Sequence, residues 1–522
     1  MTASRYNFQF RLLLTRLYAH LGAFQSCLRH FDQLEIKYIQ HDTLSHYWLT
    51  HAASLGHFSR ATLLHNQALK FFSATFRDTS EYLIHAYRFG SFAQIPEFLR
   101  LRDRLTHSLQ YSLVYIDSLI FDLIMEVDSH AQSERRVAAM ALDPVLDQTN
   151  WELIHDNRDV LLMSDWSAAT LEAQTERQNR HRGHEVAWTQ LRHVTHHAVS
   201  AVVAYAAREE AGAAAPAAEA DPLPPPPATQ PKTPVDAAIL GRLLSDFRHH
   251  VTDLRRRFLD DDEDERRLPL LHPLYASPPS RLFDYLRFAW PIDILLLAFD
   301  LVQYVFSLSQ AFAAADKTIP KDAVNEKMEA LLKSGLVDAF RHMFEACVGS
   351  TLATATPTAA TDATEATMTT TTTLPHHRYL HHFSAALETL ALVAPLLGSC
   401  HQTLRQLKNS LTKKSRKKKG GGGEAATIET FAHFTAATSA LKEAAAEFGR
   451  RLGGMGQQLA LSEVCLGMQR LGVSEDADSD AAAASTSDDV LTEINESYAT
   501  AAAEMEALVE KKVRYLTSLT KW

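Results

Sequence analysis

Leu21-Gly22-Ala23-Phe24, Leu55-Gly56-His57-Phe58 and Phe89-Gly90-Ser91-Phe92 are three versions of one tetrapeptide, each 34 residues from the next. That stride is the period of tetratricopeptide helix pairs. The flanks keep the same register. Before the first glycine, Phe10, Leu13, Leu14, Leu17 and Leu21 share one helical face, and Leu44, Tyr47, Trp48, His51 and Leu55 fill the matching slots before the second. After it, Phe24, Cys27, Phe31 and Leu34 answer to Phe58, Ala61, His65 and Ala68. Glycine accepts the left-handed backbone that ends a helix, so Gly22, Gly56 and Gly90 each close a helix A. Phe24, Phe58 and Phe92 then open helix B and pack back on A. The third copy is weaker: Glu81 and His85 fall in apolar slots, and Pro96 marks a helix start. Each pair leaves an apolar face for a neighbour to cover. The pattern predicts an all-α, tetratricopeptide-like helical-repeat superhelix (an α-solenoid) with disordered inserts.

Outward from the repeats, composition sets the boundaries. Residues 1–130 read as tetratricopeptide-like helix pairs, with one long or two short helices over 100–127, and 131–210 as further helices. Residues 211–235 form a Pro/Ala-rich linker that includes Pro224 to Pro227. A helical region follows over 236–350, with a buried helix over 281–312. Residues 351–375 are a Thr/Ala-rich insert with almost nothing to bury, expected to be disordered. A helix over 376–412 is kinked or broken at Pro395. A basic Lys/Gly linker (413–424), helices (425–473), an acidic linker (474–489) and a C-terminal helix (490–522) complete the chain. In that last helix Val490, Leu491, Ile494 and Tyr498 share a face. Glu504, Glu506 and Glu510 precede Lys511, Lys512 and Arg514, the order a helix dipole favours.

The chain has 522 residues, of which 46% are hydrophobic, giving room for about three or four domain-sized units. With 52 basic and 62 acidic side chains its net charge is -10. A pI near 6.2 argues against a protein that coats nucleic acid with its whole surface, and no DNA partner is expected. Cys27, Cys347, Cys400 and Cys465 are scattered without a CxxC pair, which speaks against a disulfide framework or a cysteine zinc site and for a reducing compartment. Arg11 and Arg16 break the N-terminal apolar stretch, unlike a secretory signal. The most apolar window, 288–306, is interrupted by Asp293, Asp300 and Gln303, short of the ~20 residues of a membrane span. A soluble, cytoplasmic protein with no membrane partner is expected.

Candidate chemistry is sparse. Arg451-Leu452-Gly453-Gly454-Met455-Gly456 fits the R-x-x-G-x-G acetyl-CoA loop, but it follows an Ala-rich helix rather than a strand. The glycines are expected to end that helix instead. His193/His196/His197, His249/His250 and His376/His377/His381/His382 are clusters without a carboxylate to complete a metal site, and residues 184–188 (HEVAW) lack a zinc-protease helix's second histidine. No GxSxG or P-loop is present. The acidic run 260–265 lacks the spacing of a calcium loop. No catalytic residue, cofactor or metal is expected. Lys413, Lys414, Arg416, Lys417, Lys418 and Lys419 put six charges in seven residues: a solvated linker, a contact for ribosomal RNA phosphates, or a nuclear import signal.

Residues 41–48 (HDTLSHYW), 78–105 (DTSEYLIHAYRFGSFAQIPEFLRLRDRL) and 151–166 (WELIHDNRDVLLMSDW) resemble the auxiliary, non-catalytic subunit of the NatB N-terminal acetyltransferase complex. The likeness is densest over 6–166. It returns weakly over 413–434 and in the lysine-rich final helix, and corresponds to the C-terminal part of longer family members. It implies a superhelix that wraps a catalytic N-terminal acetyltransferase subunit and helps it act at the ribosome. The complex acetylates nascent chains beginning Met-Asp, Met-Glu, Met-Asn or Met-Gln, using acetyl-CoA held by the catalytic partner. Tyr18 and Arg88, on the inner helix-A faces, are expected to face that partner. The competing class is a stand-alone tetratricopeptide adaptor for chaperone or signalling partners; a self-sufficient acetyltransferase would need to bind acetyl-CoA itself.

Overall fold

The computed structural model describes residues 7–139, 150–159, 162, 171–211, 235–260, 282, 285–286, 290–313, 321–352, 377–417, 424–470 and 481–521. Among the described residues the regular elements are helices, and the only β-type pairing is a bridge between Ser108 and His155. The expected all-α class holds.

The chain starts with α1 (Phe8–His20), capped by Asn7, whose side chain accepts the Phe10 N–H at 3.1 Å. Next come α2 (Phe24–Asp32), α3 (Gln40–Thr43), a short 3-10 turn, α4 (Leu49–Ser54) and α5 (Phe58–Arg88). The repeated tetrapeptides are three copies of one turn. Gly22, Gly56 and Gly90 have φ of 77°, 86° and 71°. In each copy the N–H after the glycine reaches back five residues (Ala23 to Tyr18, His57 to Ala52, Ser91 to Ala86), and the glycine N–H reaches back three. This is the Schellman closure that left-handed glycine permits.

The helices between the turns do not keep the stride. Helix B of the second pair and helix A of the third are one 31-residue helix, α5, because residues 58–88 hold neither Gly nor Pro to end it. Helix A of the second pair shrinks to α4. In α1 the buried stripe is Leu12, Thr15 and Ala19; Phe10 and Leu21 from the predicted face are exposed. Of the helix-B positions, Phe24, Cys27, Phe31, Phe58, Ala61, His65 and Ala68 are all buried, whereas Leu34 lies just past the end of α2 and is half-buried.

Residues 100–127 form two helices, α6 (Ile95–Thr106) and α7 (Leu109–Met125), parted at Ser108, whose side chain caps α7 through the Tyr111 N–H at 3.1 Å. Then follow α8 (His130–Ala139), α9 (Leu171–Ala211), α10 (Ala237–Arg255), α11 (Trp290–Ala313), α12 (Lys321–Glu329), α13 (Asp338–Leu352), α14 (His377–Lys417), α15 (Glu424–Arg470) and α16 (Ala481–Leu519). A π-helical stretch over residues 330–337 joins α12 to α13.

Helix α14 is the axle of the molecule. Its Leu380–Leu404 stretch is buried nearly all round, and it touches α4, α7, α8, α9, α11, α13, α15 and α16. It runs through Pro395 without a break. Packing on every side offsets the roughly 3 kcal/mol that an interior proline costs. Pro291–Ala311 and Leu380–Ser410 are each long and apolar enough to cross a membrane by length and composition, the second beyond what the 288–306 window alone suggested. In the fold 94% of the second's most apolar window is buried, and the acids that interrupt the first pair with α10: Asp293 with Arg255 at 2.6 Å and Asp300 with Arg248 at 2.5 Å.

Helices α15 and α16 form an antiparallel hairpin in which Gly449 faces Val509 and Gly453 faces the Glu506 carboxylate. Gly453 and Gly454 do not end their helix; α15 continues to Arg470. The missing Cβ at Gly453 lets α16 come close, so the glycine serves packing rather than termination. Arg451 pairs with Glu447 at 2.7 Å. Helix α16 begins at Ala481, inside the stretch read as an acidic linker. Most of 211–235 and 351–375, and Lys418 and Lys419, lie outside the described residues.

Candidate binding surface

Helix α16 lies across the glycine turns. A Cβ on Gly22 would stand 2.6 Å from the Tyr498 hydroxyl oxygen, and one on Gly56 would stand 2.7 Å from the Met505 terminal carbon. Tyr498 donates to Leu21 O at 3.0 Å, and Ser497 to Gly22 O at 3.4 Å. Glu493 takes Arg29 at 2.7 Å and Ser26 Oγ at 2.7 Å. Glu504 accepts both the N–H and the hydroxyl of Ser59 at 2.6 Å. Further along, Lys511 donates to Met125 O at 2.8 Å, and Lys512 to Leu123 O at 2.7 Å and to Val127 O. The two lysines thus complement the carbonyl end of α7, not of their own helix. Lys512 is fully buried, and desolvation, aided by Lys511 and opposed by Asp128, pushes its ammonium down to about 7. Nothing in the sequence marks Lys512 as buried; the only hint is the seven-residue spacing of Tyr498, Met505 and Lys512 on one face.

The three stretches that carry the family likeness meet in a polar knot. Asp42 accepts Ser108 Oγ at 2.5 Å. Burial raises its carboxyl above the usual range, against bonds from Ser108 and Asn157. Asn157 takes the Arg104 guanidinium at 2.9 and 3.1 Å and donates to Arg104 O. The His155 backbone pairs with His107 O and Leu109 N–H, and Asp159 N–H donates to Thr43 O. Arg158 grips Asp156 at 2.7 and 2.8 Å. Burial works against the Asp156 carboxylate, yet these bonds hold it below its ordinary value. His46, under the same knot, is pushed down to about 3, by burial first and by Arg158 second, and stays neutral. The segment after α8 is therefore tied to the second hairpin and to the α6–α7 corner. A second buried network lies deeper: Arg192 bridges Asp117 and Glu388 (2.6 Å), and Tyr285 donates to Glu388 at 2.8 Å.

Phe24 and Phe58 are fully buried, whereas Phe92 is 59% exposed and folds back only edge-on against Tyr87 of α5, ring centroids 5.8 Å apart. Tyr18 is half-buried, stacked on His30 at 5.5 Å; burial and then Glu493 raise its phenol. Arg88 is exposed at the end of α5. Lys413, Lys414, Arg416 and Lys417 fall on the last turns of α14. Of the predicted residues, α16 brings together Gly22, Gly56 and the neighbourhood of Tyr18; Gly90, Phe92 and Arg88 stand apart from it. Among the described residues no group of His, Cys, Asp and Glu is arranged to hold a metal ion.

Polar side chains here tie helix to helix: the class is an all-helical hairpin scaffold. Residues 1–160 match the family model described as the N-acetyltransferase B complex (NatB) non catalytic subunit. The human "N-alpha-acetyltransferase 25, NatB auxiliary subunit" is 27% identical over 417 residues, covering 79% of this chain and 38% of that one. The Aedes aegypti "Phagocyte signaling-impaired protein" is 32% identical over 188 residues, 36% of this chain and 20% of that one. Against a solved structure, "The NatB Acetyltransferase Complex Bound To CoA and MES", the TM-score is 0.44 at 11% identity, covering 96% of this chain and 47% of that one. The chain thus spans less than two-fifths of the human relative's length. The resemblance read from residues 41–48, 78–105 and 151–166, to the non-catalytic NatB subunit family, holds as a likeness, with the family model matching residues 1–160 and the human relative itself named an auxiliary subunit.

Proposed function

We propose that this chain acts as the non-catalytic scaffold of a NatB complex. It binds a catalytic acetyltransferase subunit and orients it for co-translational acetylation of nascent chains that start Met-Asp, Met-Glu, Met-Asn or Met-Gln. The observation that carries this reading is the family match to residues 1–160, the same residues whose hairpins α16 and the polar knot hold in shape. Arg88 and Tyr18 flank the hairpin surfaces that would meet the partner. The test is co-expression of the full chain with a NatB-type catalytic subunit, followed by size exclusion. A single stoichiometric peak is expected; two separate peaks would overturn the proposal.

The setting of this reading is the cytoplasm, at the ribosome. The basic run from Lys413 to Lys419, starting on the last turns of α14, supplies charge for RNA phosphates, with affinity falling as salt rises. Neutralising all six cations is expected to reduce ribosome co-sedimentation at low salt. Unchanged sedimentation would remove the RNA contact.

A further inference from the structure

Helix α16 meets the N-terminal helices at four stations, and their order along α16 is their order along the chain. Ser497 accepts the Gln25 N–H at 3.4 Å and lies 3.4 Å from Gly22 O and 3.3 Å from His57 Nε2, so one buried hydroxyl touches the first two turns at once. Glu493 holds Arg29 beside the first turn, and Glu504 holds Ser59 beside the second. Lys511 and Lys512 then reach the carbonyl end of α7. Tyr515, fully buried, completes the series on α8, its hydroxyl 3.1 Å from His130 Nδ1 and 3.2 Å from Ser133 Oγ. In an ordinary repeat stack each unit touches only its neighbours. Here one helix joins units that do not follow one another in the stack.

The series passes over the third hairpin. From Ser80 to Arg104 the only buried residue is Ala86. In α2, by contrast, Phe24, Ser26, Cys27, Leu28 and Phe31 are all buried within nine residues. Nothing comes within 4 Å of the Cβ position at Gly90, whereas Gly22 and Gly56 lie against Tyr498 and Met505. Phe98 stacks on Tyr82 at 5.8 Å and Arg102 donates to Ser80 Oγ at 3.5 Å, but both links run between the hairpin's own two helices. The far end of α6 is tied to the body, where Leu105 is buried and Arg104 grips Asn157 at 2.9 and 3.1 Å. Segments with so little buried surface open at low free energy while the core around them stays closed.

We infer that α16 is a spine that locks the first two hairpins, α7 and α8 into one block, and that the third hairpin, residues 80–104, is an arm that opens independently of that block, hinged where Leu105 and Asn157 hold α6. The device goes beyond the reading above, and no acetyltransferase enters its test.

Hydrogen exchange of the full chain, followed by mass spectrometry, reads both halves of the device. In the wild type, protection factors over 80–104 are expected to be about tenfold or more below those of α2 and of residues 58–72. Combining Tyr498→Ala with Glu504→Gln removes two stations. Protection of α1 and α2 should then fall by about tenfold, while 80–104 and α11 keep their rates. Ser497→Ala removes one hydroxyl and leaves the packing, so it should give the same local change at about threefold even where the double variant folds poorly. Protection over 80–104 equal to that of α2 overturns the arm. Unchanged exchange of α1 and α2 in Ser497→Ala and in the folded double variant overturns the spine. A uniform loss that includes α11 in Ser497→Ala overturns it too, because α16 would then support the whole core rather than the stack.

Discussion

Alanine at each of the three turn glycines separates backbone strain from helix packing. All three glycines have strongly positive φ, so each alanine carries the same left-handed penalty of about 1–2 kcal/mol. At Gly90 nothing else is touched, and that penalty is the whole effect. At Gly56 the new methyl meets Cε, Sδ and Cγ of Met505 at 2.7, 2.8 and 3.2 Å; the thioether is flexible but fully buried, so its shift adds about 1 kcal/mol, less than a ring would. At Gly22 it meets a ring, with Tyr498 atoms at 2.6, 2.9 and 3.1 Å. That ring is held by its bond to Leu21 O, worth about 1 kcal/mol. Moving it also lifts the start of the α16 contact, so Gly22→Ala should cost about 2–4 kcal/mol in all. The order Gly22 > Gly56 ≥ Gly90 is read from urea midpoints followed by far-ultraviolet circular dichroism. Coupling of at least about 0.5 kcal/mol is expected between Gly22→Ala and Tyr498→Ala in a double-mutant cycle. Equal cost at Gly22 and Gly90, or no coupling, would refute the idea that α16 packs on these turns.

Two further expectations concern buried charge, and a third the polar knot. Lys512 titrates near 7 when folded and near 10.5 when unfolded, so between those values the unfolded chain binds more protons and stability rises with pH. Between pH 7 and 9 the wild type should gain about 2–3 kcal/mol relative to Lys512→Met; a difference that stays flat with pH would contradict this. Arg192→Met takes the guanidinium from the buried carboxylates of Asp117 and Glu388 and should cost about 3–5 kcal/mol, restored only in part by adding Glu388→Gln; a melting point near wild type would count against it. Arg158→Ala should release residues 154–159 to faster hydrogen exchange while α11 stays protected; uniform exchange across the chain would mean the knot is not local.

The turns were legible because they rest on local chemistry. A glycine at φ near 80° is nearly obligatory, and it leaves its mark in the sequence wherever the stride returns. The fusion of two repeat helices into α5 was not legible, because a helix continues by default and nothing in residues 58–88 announces it. Pro395 and Gly453 failed as terminators for a related reason. Each local penalty is a few kcal/mol at most, and burial of α14 and α15 on several sides outweighs it. At the candidate surface, Phe92 was expected to mirror Phe24 and Phe58. Its exposure depends on where α16 ends its run across the turns, which no pattern within 34 residues encodes. Tyr18 could be placed on a helix, but not beside Glu493, which lies more than 470 positions away.

The position of α16 also divides the chain into residues fixed by local chemistry and residues that need only complete a distant contact. Residues 1–160 carry turn glycines, cap residues and the Asp42–Asn157–Arg158 knot, each of which demands a particular side chain. The final helix needs only a polar group and a bulky apolar neighbour at each turn, and a lysine long enough to reach carbonyls at residues 123–127. Many side-chain combinations meet those needs at helical spacing. Contacts spanning some 475 residues form late, since loop closure opposes them until the hairpins exist to receive the helix. The first two turns then have their cover within the chain.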